Sequence, residues 1–370
     1  MPYDLPIADL LRAFSSHPIL CEYLDFEGCL TFIELVELLK PTIKLSSFTE
    51  DGELALHWAD ELTFDCPEEL PLNIQQFLCK ALNLEESAIK LIWQVFSPFI
   101  WPWSPSSAPR FARHYVSLFL QHGIPLGLAF YHFMPPNVRC LDPLCTKKYK
   151  AGGADSKLCR RGLSEHSSLQ VTVFTQDFGP VPGISTSMFC RGCGTRYYPN
   201  YFVNSQISTR AYYRETPSNQ FEYLHVAEHV FVDRRTCNLF STMMLAAWTS
   251  ASNCAKIYNE GIALEDLGHS LPAAYTKKFE LDTETVWNGV LLHWLLDDAF
   301  EREEHLELAH NASSQAKALE PALRARNLRM AGTGQEAWNH ICDLCCHFKE
   351  DEDGNESTCL FLLVTTQYRT

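Results

Sequence analysis

Two pairs of closely spaced cysteines constrain this chain more than any other feature of its sequence. Cys190 and Cys193 are separated by two residues, and Cys140 and Cys145 by four, with Pro143 among them. Structural zinc is held by four ligands in a tetrahedron, typically as two short-spaced pairs. The 44 residues between the pairs leave room for a β-hairpin and a loop. The sequence therefore predicts one zinc site formed by Cys140, Cys145, Cys190 and Cys193.

The local sequence CRGCG around the second pair suits a metal-binding turn. Two intervening residues let both sulfurs face one centre, and the glycines permit a tight backbone whose amides can donate to the thiolates. A β-like run precedes the turn, as in a zinc ribbon. The alternative is that these cysteines are ordinary core residues, which cysteine often is. Cys159 and His166, between the two pairs, are the candidate substitute ligands.

The chain holds 15 cysteines, and its first 20 residues match neither a signal peptide nor a transit peptide. No run reaches the 18 apolar residues that would indicate a membrane span. These observations favour an intracellular, reducing location, where cysteines bind metal, react or pack rather than form disulfides. Six further cysteines lie in apolar, helix-like patterns and are expected to be core residues: Cys21, Cys29, Cys66, Cys79, Cys237 and Cys254.

A second cysteine cluster lies near residue 345. Cys342 and Cys345 form one short-spaced pair beside Cys346 and His347, but only His340 and Cys359 are near enough to complete a site. A structural zinc site needs four ligands. The cluster is therefore predicted to be an incomplete metal site, cut short, in which Cys342 and Cys345 do not hold zinc tightly.

Charge is distributed unevenly along the chain, whose formal net charge is −15. Residues 1–100 carry 5 Lys and Arg against 17 Asp and Glu, residues 101–261 carry 16 against 9, and residues 262–370 carry 9 against 19. The only basic segment is therefore the one with the zinc ligands, and a polyanion would choose it. Arginines and tyrosines interleave there, a pattern that suits phosphate contact and base stacking. The candidate contacts are Arg191, Arg196, Arg210, Arg214, Tyr197 and Tyr198, with Tyr201, Tyr212 and Tyr213 as further stacking residues.

Hydrophobic periodicity divides the chain into helical and β-like parts. Helices are predicted before residue 100, one ending at Pro41, one capped by Asn73 and one over 85–97, and another helix over 110–122. Strands are predicted over 126–133, 168–176, 184–190, 210–215 and 228–232. The remaining predictions are helices over 236–258 and 283–302 and a helical connector over 305–335. His225 and His229 have helical spacing in a strand-like context and are interpreted as semi-buried histidines.

Known catalytic motifs do not account for the sequence. His305 and Glu307 with Cys342 and Cys345 only partly match the signature of zinc nucleobase deaminases, because Ile341 stands where that signature has proline. The His and Glu also lie in a polar segment that could not form a dry pocket. No P-loop, dinucleotide fingerprint or nucleophile elbow is present. The sequence therefore favours binding rather than catalysis, and no small-molecule substrate is indicated.

The cysteine pairs and the segments between and after them resemble a known family. Cys140 and Cys145, then VTVFTQDFGPVPG, MFCRGCGTRYYPNYF, FEYLHVAEHVFV and AKIYNEG are similar to the fifth-class cysteine cluster that accompanies fungal KDZ transposases. The segment HICDLCCHFKEDEDGNE resembles the opening of the sixth-class module. The resemblance implies a zinc-chelating, non-catalytic accessory unit of a mobile element, located in the nucleus, with DNA or a transposase protein as partner. The further cysteine and histidine pairs of the sixth-class module are absent after Glu356.

Taken together, these features predict an α+β protein. The expected units are a helical N-terminal domain (1–100), a linker and helix (101–125), a zinc-ribbon-like β module with a helical extension (126–261), a helical connector (262–338) and a partial cysteine cluster (339–370). Nucleic-acid recognition by the basic module is the leading functional prediction. A protein-interaction scaffold and a non-functional remnant of a transposon-encoded protein are the alternatives.

Overall fold

The chain is an α+β protein in which helices cover a curled, mixed β-sheet. The computed structural model describes residues 7–46, 66–102, 112–150, 156–204, 208–216, 220–263, 275, 277, 279–331, 346–350 and 356–360. Helices dominate up to residue 126, strands from there to residue 233, and helices again up to residue 331. This order agrees with the predicted fold class.

Six α-helices precede the sheet. They are α1 (Ile7–Ser16), α2 (Leu20–Tyr23), α3 (Phe26–Ser46), α4 (Leu72–Leu82), α5 (Glu86–Ile100) and α6 (Ala112–Leu118). A π-helical turn (Phe119–Gly123) and a 3-10 turn (Ile124–Leu126) continue α6. Their apolar faces form one core around Phe32, Phe77, Trp93 and Phe96, and this core extends onto the sheet at Val181. The N-terminal helices thus pack on the sheet through apolar contacts.

Two helix boundaries differ from the sequence predictions. Pro41 does not end its helix, because α3 continues through it to Ser46. Proline removes one helical hydrogen bond, but buried Leu39 and Ile43 on either side keep the segment packed. Asn73 does not cap α4 either; Pro71 occupies the cap position. Asn73 instead accepts a hydrogen bond from the Ile74 amide.

The described residues contain thirteen strands. They are β1 (Tyr131–Phe133), β2 (Thr146–Lys150), β3 (Ser156–Arg160), β4 (Ser164–Thr175), β5 (Gly179–Cys190), β6 (Thr195–Tyr197), β7 (Tyr201–Asn204), β8 (Thr209–Tyr212), β9 (Tyr223–Ala227), β10 (Val230–Asp233), β11 (Glu307–Ala309), β12 (Cys346–Glu350) and β13 (Glu356–Leu360). The prediction of a strand over 126–133 was too long, because only 131–133 pair.

Nine of these strands form the main sheet, in the order β11-β8-β7-β6-β5-β4-β10-β9, with β1 beside β5. The pairs β1–β5 and β10–β4 are parallel and the others are antiparallel. The long hairpin β4–β5 is the centre of the sheet, and its residues 171–174 are buried because both faces are covered. β2–β3 and β12–β13 are separate two-stranded hairpins.

Four further helices lie after β10 in the part of the chain that the structure describes. They are α7 (Arg234–Ala247), α8 (Ala251–Gly261), α9 (Thr283–Glu301) and α10 (Gln315–Ala331). The first three begin at side-chain caps, in which Asp233, Ser250 and Asp282 accept hydrogen bonds from backbone amides. α9 is buried along most of its length between α7, α8, α10 and β9. A second core therefore joins the sheet to helices as far along the chain as Leu319.

The segment 305–335 is not wholly helical, since β11 adds an edge strand to the sheet before α10 begins. The linker predicted over residues 101–125 falls mainly in positions 103–111, which lie outside the described residues, and in α6 and the two turns after it. Among the helices that the structure describes, none combines the length and the apolar character needed to cross a membrane.

Candidate metal centre

Four cysteine side chains meet at one end of the sheet. The Sγ atoms of Cys140, Cys145, Cys190 and Cys193 all lie within 4.8 Å of one another. The Sγ–Sγ distance is 3.4 Å between Cys140 and Cys193 and 3.6 Å between Cys145 and Cys190. A Zn–S bond of about 2.3 Å implies Sγ–Sγ edges of about 3.8 Å in a tetrahedron. The two predicted pairs thus interleave around a single point.

The first pair is held by the chain that follows the β2–β3 hairpin. The Cys140 amide donates to the Arg161 carbonyl over 2.8 Å, and the Arg161 amide donates to the Cys145 carbonyl over 3.0 Å. Between the two cysteines, Asp142 accepts from the Leu144 amide and starts a tight turn. One residue therefore fixes the backbone of both ligands, and the β2–β3 hairpin projects from the base of the site.

The second pair lies on the turn between β5 and β6. The Gly194 amide donates to the Cys190 carbonyl over 2.9 Å, and Gly194 has a φ of +70°, a conformation that glycine adopts without strain. Gly192 is required for space. A Cβ atom there would lie 2.5 Å from Cys145 Sγ and 2.6 Å from Arg161 Nε. The turn can therefore approach the first pair only because residue 192 has no side chain.

Burial controls the acidity of the thiols. Cys140 and Cys190 are fully buried, while Cys145 and Cys193 are partly exposed. Desolvation raises the pKa of Cys145 to about 11 and that of Cys140 still further. Burial also acts to raise the pKa of Cys193, but hydrogen bonds with the Thr195 hydroxyl and backbone outweigh it, so the pKa of Cys193 is lowered. A cation at the centre of the four sulfurs would stabilise their thiolate forms.

Tyr197 supports the cluster from β6. Its hydroxyl lies 3.3 Å from Cys140 Sγ and accepts a hydrogen bond of 2.9 Å from the Leu141 amide. With its amide contact satisfied, the hydroxyl proton is available to Cys140 Sγ. Tyr197 is 1% exposed and packs in a small core with Leu163 and Met188. The Tyr197 hydroxyl is thus positioned to donate a hydrogen bond to a ligand sulfur.

The donor set and its surroundings fit a zinc ion. Four sulfurs in a closed tetrahedral arrangement are the ligand set of structural zinc sites. The Arg161 Nε atom is buried beside the cluster and has no hydrogen-bond partner among the described residues. An unpaired guanidinium nitrogen is costly unless negative charge is near, and a zinc ion with four thiolates carries a net charge of −2. Arg161 therefore matches a metal-bound cluster better than four neutral thiols.

Of the two candidate substitute ligands, His166 does not join this cluster, whereas the side chain of Cys159 lies outside the described part of the chain. His166 is exposed on β4. Cys159 lies on β3, where its backbone pairs with Lys147. Of the second cluster, Cys342 and Cys345 lie outside the described residues, so the prediction of an incomplete site there stays a prediction. Cys346 and His347 open β12, and His347 pairs with Cys359 on β13.

The proposed arginine contacts are distributed over the sheet rather than gathered. Arg191 pairs with Glu165 at 2.8 Å, and Arg214 pairs with Glu303 at 2.9 Å, both at the surface. Arg196 donates to the Ser187 hydroxyl and lies over the Phe189 ring. Arg210 is partly buried, 4.7 Å from the centre of the Tyr201 ring. Several are thus already engaged within the fold.

The tyrosines are core residues for the most part. Tyr197, Tyr201 and Tyr212 are 1%, 5% and 0% exposed, so their rings have no free face for a nucleobase. The prediction that Tyr197 stacks on bases is therefore wrong, and its position beside Cys140 gives the reason. Tyr198 is partly exposed and stacks on Tyr201. The alternative, that tyrosines pack this part of the sheet, is confirmed for these three.

Other predicted residues have clear places. His225 is buried on β9, where its ring stacks on Phe231 at 4.5 Å, in agreement with the interpretation as a core histidine. His305 faces the Tyr212 carbonyl and Glu307 lies on β11, rather than on a helix. Cys29, Cys237 and Cys254 are buried as expected, whereas Cys21 is exposed, which corrects its assignment to the core.

Three supporting residues were not predicted as part of the site: Arg161, Thr195 and Tyr197. Thr195 and Tyr197 could have been found from the sequence, because they follow Cys193 by two and four residues and so return toward it along β6. Arg161 could not, since it depends on how the β2–β3 hairpin closes.

Comparison with known proteins finds one family that is similar to the region of this site. No curated protein and no solved structure matches the chain. Residues 128–262 match the family model described as a CxC5-like cysteine cluster associated with KDZ transposases. The matched range contains all four cysteines, the β2–β3 hairpin, Tyr197 and most of the main sheet. Over residues 128–262, this chain is therefore similar to the CxC5-like cysteine cluster associated with KDZ transposases.

Proposed function

We propose that the chain is a non-catalytic accessory protein of a KDZ-type mobile element, in which a zinc-held module recognises nucleic acid. Zinc would be held by Cys140, Cys145, Cys190 and Cys193. With four protein ligands, no coordination position is left for water or substrate, so the ion would have a structural role. It would fix the position of the β2–β3 hairpin relative to the sheet, because Cys145 immediately precedes that hairpin.

The β2–β3 hairpin is the observation that carries the nucleic-acid proposal. Its ten strand residues, 146–150 and 156–160, include five basic residues and no acidic one: Lys147, Lys148, Lys150, Lys157 and Arg160. In the strand register, Lys148 lies opposite Leu158 and Tyr149 lies opposite Lys157. Five positive charges and no negative one within ten strand residues would attract a phosphate backbone.

Zinc is tested by metal analysis of the purified chain. We expect about one zinc per chain, because the described residues include one set of four convergent sulfurs. Cys190→Ser and Cys193→Ser should each lose it, while Cys254→Ser, at a buried cysteine far from the cluster, should retain it. Full zinc content in both cluster variants would refute the assignment. If one equivalent of another metal is found instead, the four cysteines remain the metal site and the identity of the ion is corrected.

Nucleic-acid binding is tested by fluorescence anisotropy of a labelled DNA or RNA duplex with the intact chain at several salt concentrations. Replacement of Lys148, Lys150 and Lys157 by Gln should weaken binding and flatten the slope of log K against log salt by up to about 3 units, if each contacts one phosphate. The matched control replaces Lys80, Lys90 and Lys256, and so changes net charge equally. Equal effects in both triple variants, or no binding by the unmodified chain at low salt, would remove the nucleic-acid function.

An interaction with a protein partner is the second candidate, and one exposed residue favours it. Trp248 is 84% exposed and follows α7 in the left-handed conformation, with φ of +53°. Tryptophan is enriched in protein interfaces relative to the rest of the surface, so Trp248 is a candidate contact residue. A transposase protein is the partner suggested by the family. Loss of transposase capture in Trp248→Ser, with duplex binding unchanged, would support this function over the first.

An accessory protein of a mobile element that recognises nucleic acid also requires access to chromosomal DNA. We therefore expect the tagged chain in the nucleus of cells that carry the element, as fluorescence microscopy would measure.

A further inference from the structure

A polar cavity among the strands of the main sheet has no role in the metal centre. Its volume is about 340 Å³, and it is lined by side chains from β4, β5, β7, β8 and β9 together with the first residue of α10. The residues that matter chemically are Ser185, Ser187, Arg210, His225, Glu228 and Gln315. Cavities of this size are sufficient for a small ligand.

Arg210 is the only arginine lining this cavity, and its charge is uncompensated. The guanidinium lies over the Tyr201 ring, and Nη1 donates to Gln315 Oε1 over 3.1 Å. No carboxylate among the described residues pairs with it, and its Nε atom is buried without a hydrogen-bond partner. A buried guanidinium is costly unless an anion accompanies it. The missing partner is therefore an anion that enters the cavity.

Further hydrogen-bonding groups converge on the same space. Gln315 Nε2 is buried without a hydrogen bond of good geometry, and the Tyr212 hydroxyl lies behind it, close to Arg210 and Gln315. Gln315 is also the first residue of α10, so the positive end of a 17-residue helix lies beside the cavity. An acceptor-rich ligand would satisfy the Arg210 and Gln315 donors together.

His225 supplies the complementary acceptor. Its Nε2 lies 3.3 Å from the Glu228 carbonyl, which can only accept, so Nε2 carries the proton. Nδ1 then is an unprotonated acceptor, and it is buried without a partner. Burial lowers the pKa of His225 to about 4, so the ring is neutral near pH 7. The site thus offers several donors together with a buried acceptor at His225 Nδ1, a pattern that suits an oxyanion bearing a proton.

We propose that this cavity binds a phosphate group, with Arg210 as its counter-charge and Gln315 and His225 as its hydrogen-bonding partners. A phosphate offers acceptor oxygens to Arg210 and Gln315, and in its protonated form one hydroxyl to His225. The cavity exceeds the size of inorganic phosphate, so the group can be part of a nucleotide, free or at the end of a strand. The strand-end source rests on the proposed nucleic-acid function; the phosphate site itself does not.

Glu228 provides an internal control, because it lies at the rim of the same cavity. Its carboxylate is largely exposed and faces His229 at 3.8 Å. A negative charge at the entrance opposes an incoming phosphate. Glu228→Gln should therefore tighten phosphate binding, by several-fold at low salt, and an exposed substitution of this kind leaves the fold intact.

The experiment is a calorimetric titration of the intact chain with inorganic phosphate and with a nucleoside 5′-monophosphate at constant ionic strength. We expect saturable binding by the unmodified chain. The affinity for phosphate should fall by at least about tenfold in Arg210→Gln, stay unchanged in Arg214→Gln and rise in Glu228→Gln. Arg214 is the matched control, since it pairs with Glu303 at the surface. No saturable binding by the unmodified chain, or equal affinity in Arg210→Gln, would overturn the proposal.

Two further arms keep the outcome decisive. Should Arg210→Gln fail to fold, an unchanged affinity in Glu228→Gln overturns the proposal and a tighter one supports it. Oligonucleotides of one sequence with a 5′-phosphate or a 5′-hydroxyl distinguish the sources, because preference for the phosphorylated form indicates a strand end and equal affinity a free nucleotide. The triple lysine variant of the β2–β3 hairpin should retain phosphate binding, so failure of the duplex function and failure of this site are separable.

Discussion

At the scale of single residues, Gly192 decides whether the two cysteine pairs can meet. A Cβ atom at this position would lie 2.5 Å from Cys145 Sγ and 2.9 Å from the Arg161 Cδ atom. Neither neighbour can withdraw without moving a ligand or the residue that holds both ligands of the first pair. The CRGCG motif thus carries more than its two sulfurs.

Gly192→Ala is therefore expected to lower zinc affinity by at least about tenfold and to lower the melting temperature of the zinc-loaded chain. Competition with a chromophoric chelator measures the affinity. Gly261→Ala is the control, because a Cβ there meets no atom within 4 Å. Zinc affinity in Gly192→Ala equal to that of the control would show that the turn has more room than its geometry indicates.

A substitution at Tyr197 tests a residue that supports the metal site while all four cysteine ligands stay in place. Removal of its hydroxyl leaves the ring packed with Leu163 and Met188 but deletes the contact with Cys140 Sγ. Tyr197→Phe should weaken zinc binding about 10-fold to 100-fold while the apo chain remains folded.

Tyr213→Phe is the matched variant, since its hydroxyl donates to the Tyr198 carbonyl instead of to a sulfur. It should leave zinc affinity unchanged. The same loss of affinity in both variants would mean that Tyr197 acts through packing alone.

At the scale of elements, one charged cluster joins the second core. Arg234, at the start of α7, contacts Glu215 and also Asp297 on α9. The Glu215 side chain is 2% exposed and that of Arg234 15% exposed, so this pair is desolvated. Arg234→Met should lower the free energy of unfolding by about 3–5 kcal/mol, because it leaves Glu215 buried without a counter-charge.

The neighbouring Arg235 is a natural control. It pairs with Asp177 at 2.7 Å, but both side chains are more than half exposed. Arg235→Met should therefore cost less than about 1 kcal/mol in a urea titration of unfolding. Similar losses in the two variants would contradict the assignment of the Arg234 cluster to a buried interaction.

His132 joins the N-terminal helices to the sheet. Its Nδ1 lies 2.8 Å from the Thr42 hydroxyl on α3, and its Nε2 lies 2.8 Å from the Thr186 hydroxyl on β5. Burial lowers the pKa of His132 to about 4. Since the unfolded chain binds the proton near pH 6.5, the stability that His132 contributes is full above that pH and is lost as pH falls toward 4.

The expected loss for His132 over that interval is at most about 3 kcal/mol. His132→Gln keeps a donor and an acceptor between the two threonines and cannot titrate there. The difference in unfolding free energy between the two chains should therefore shrink on acidification from pH 7 to pH 4.5. A constant difference over this range would place the pKa of His132 near its ordinary value.

The sequence could predict those features that neighbouring residues determine, and not those that depend on how distant strands pair. Cys190 and Cys193 lie in one short turn, and the strand before them shows alternating apolar residues. Both features are local, so both could be predicted from the sequence. Pro41 misled the prediction because a helix interior can tolerate proline when neighbours such as Leu39 and Ile43 are buried. Tyr197 was predicted to contact nucleic acid because arginines and tyrosines interleave in this segment. Only the register of β6 against β5 shows that it faces Cys140.

At the scale of the whole molecule, the second core does not end where the family match ends. The match covers residues 128–262, yet α9 spans Thr283–Glu301 and packs against α7, α8 and β9. Val290, Leu292 and Leu295 of α9 are almost wholly buried in that core. β11 also pairs with β8 and completes one edge of the sheet.

A fragment that stops at residue 262 should therefore fail to fold, even with zinc bound. It would expose the apolar surface that α9 covers, and each large side chain exposed costs about 1.5–3 kcal/mol, whereas small domains are stable by only about 5–15 kcal/mol. We expect residues 1–262 to be protease-sensitive and to bind a hydrophobic dye, and residues 1–331 to give a cooperative unfolding transition. Both fragments retain the four cysteines, so zinc content alone should not distinguish them. A cooperative transition in the shorter fragment, with the melting temperature of the longer one, would show that α9 is dispensable and that the cysteine cluster is a self-sufficient domain.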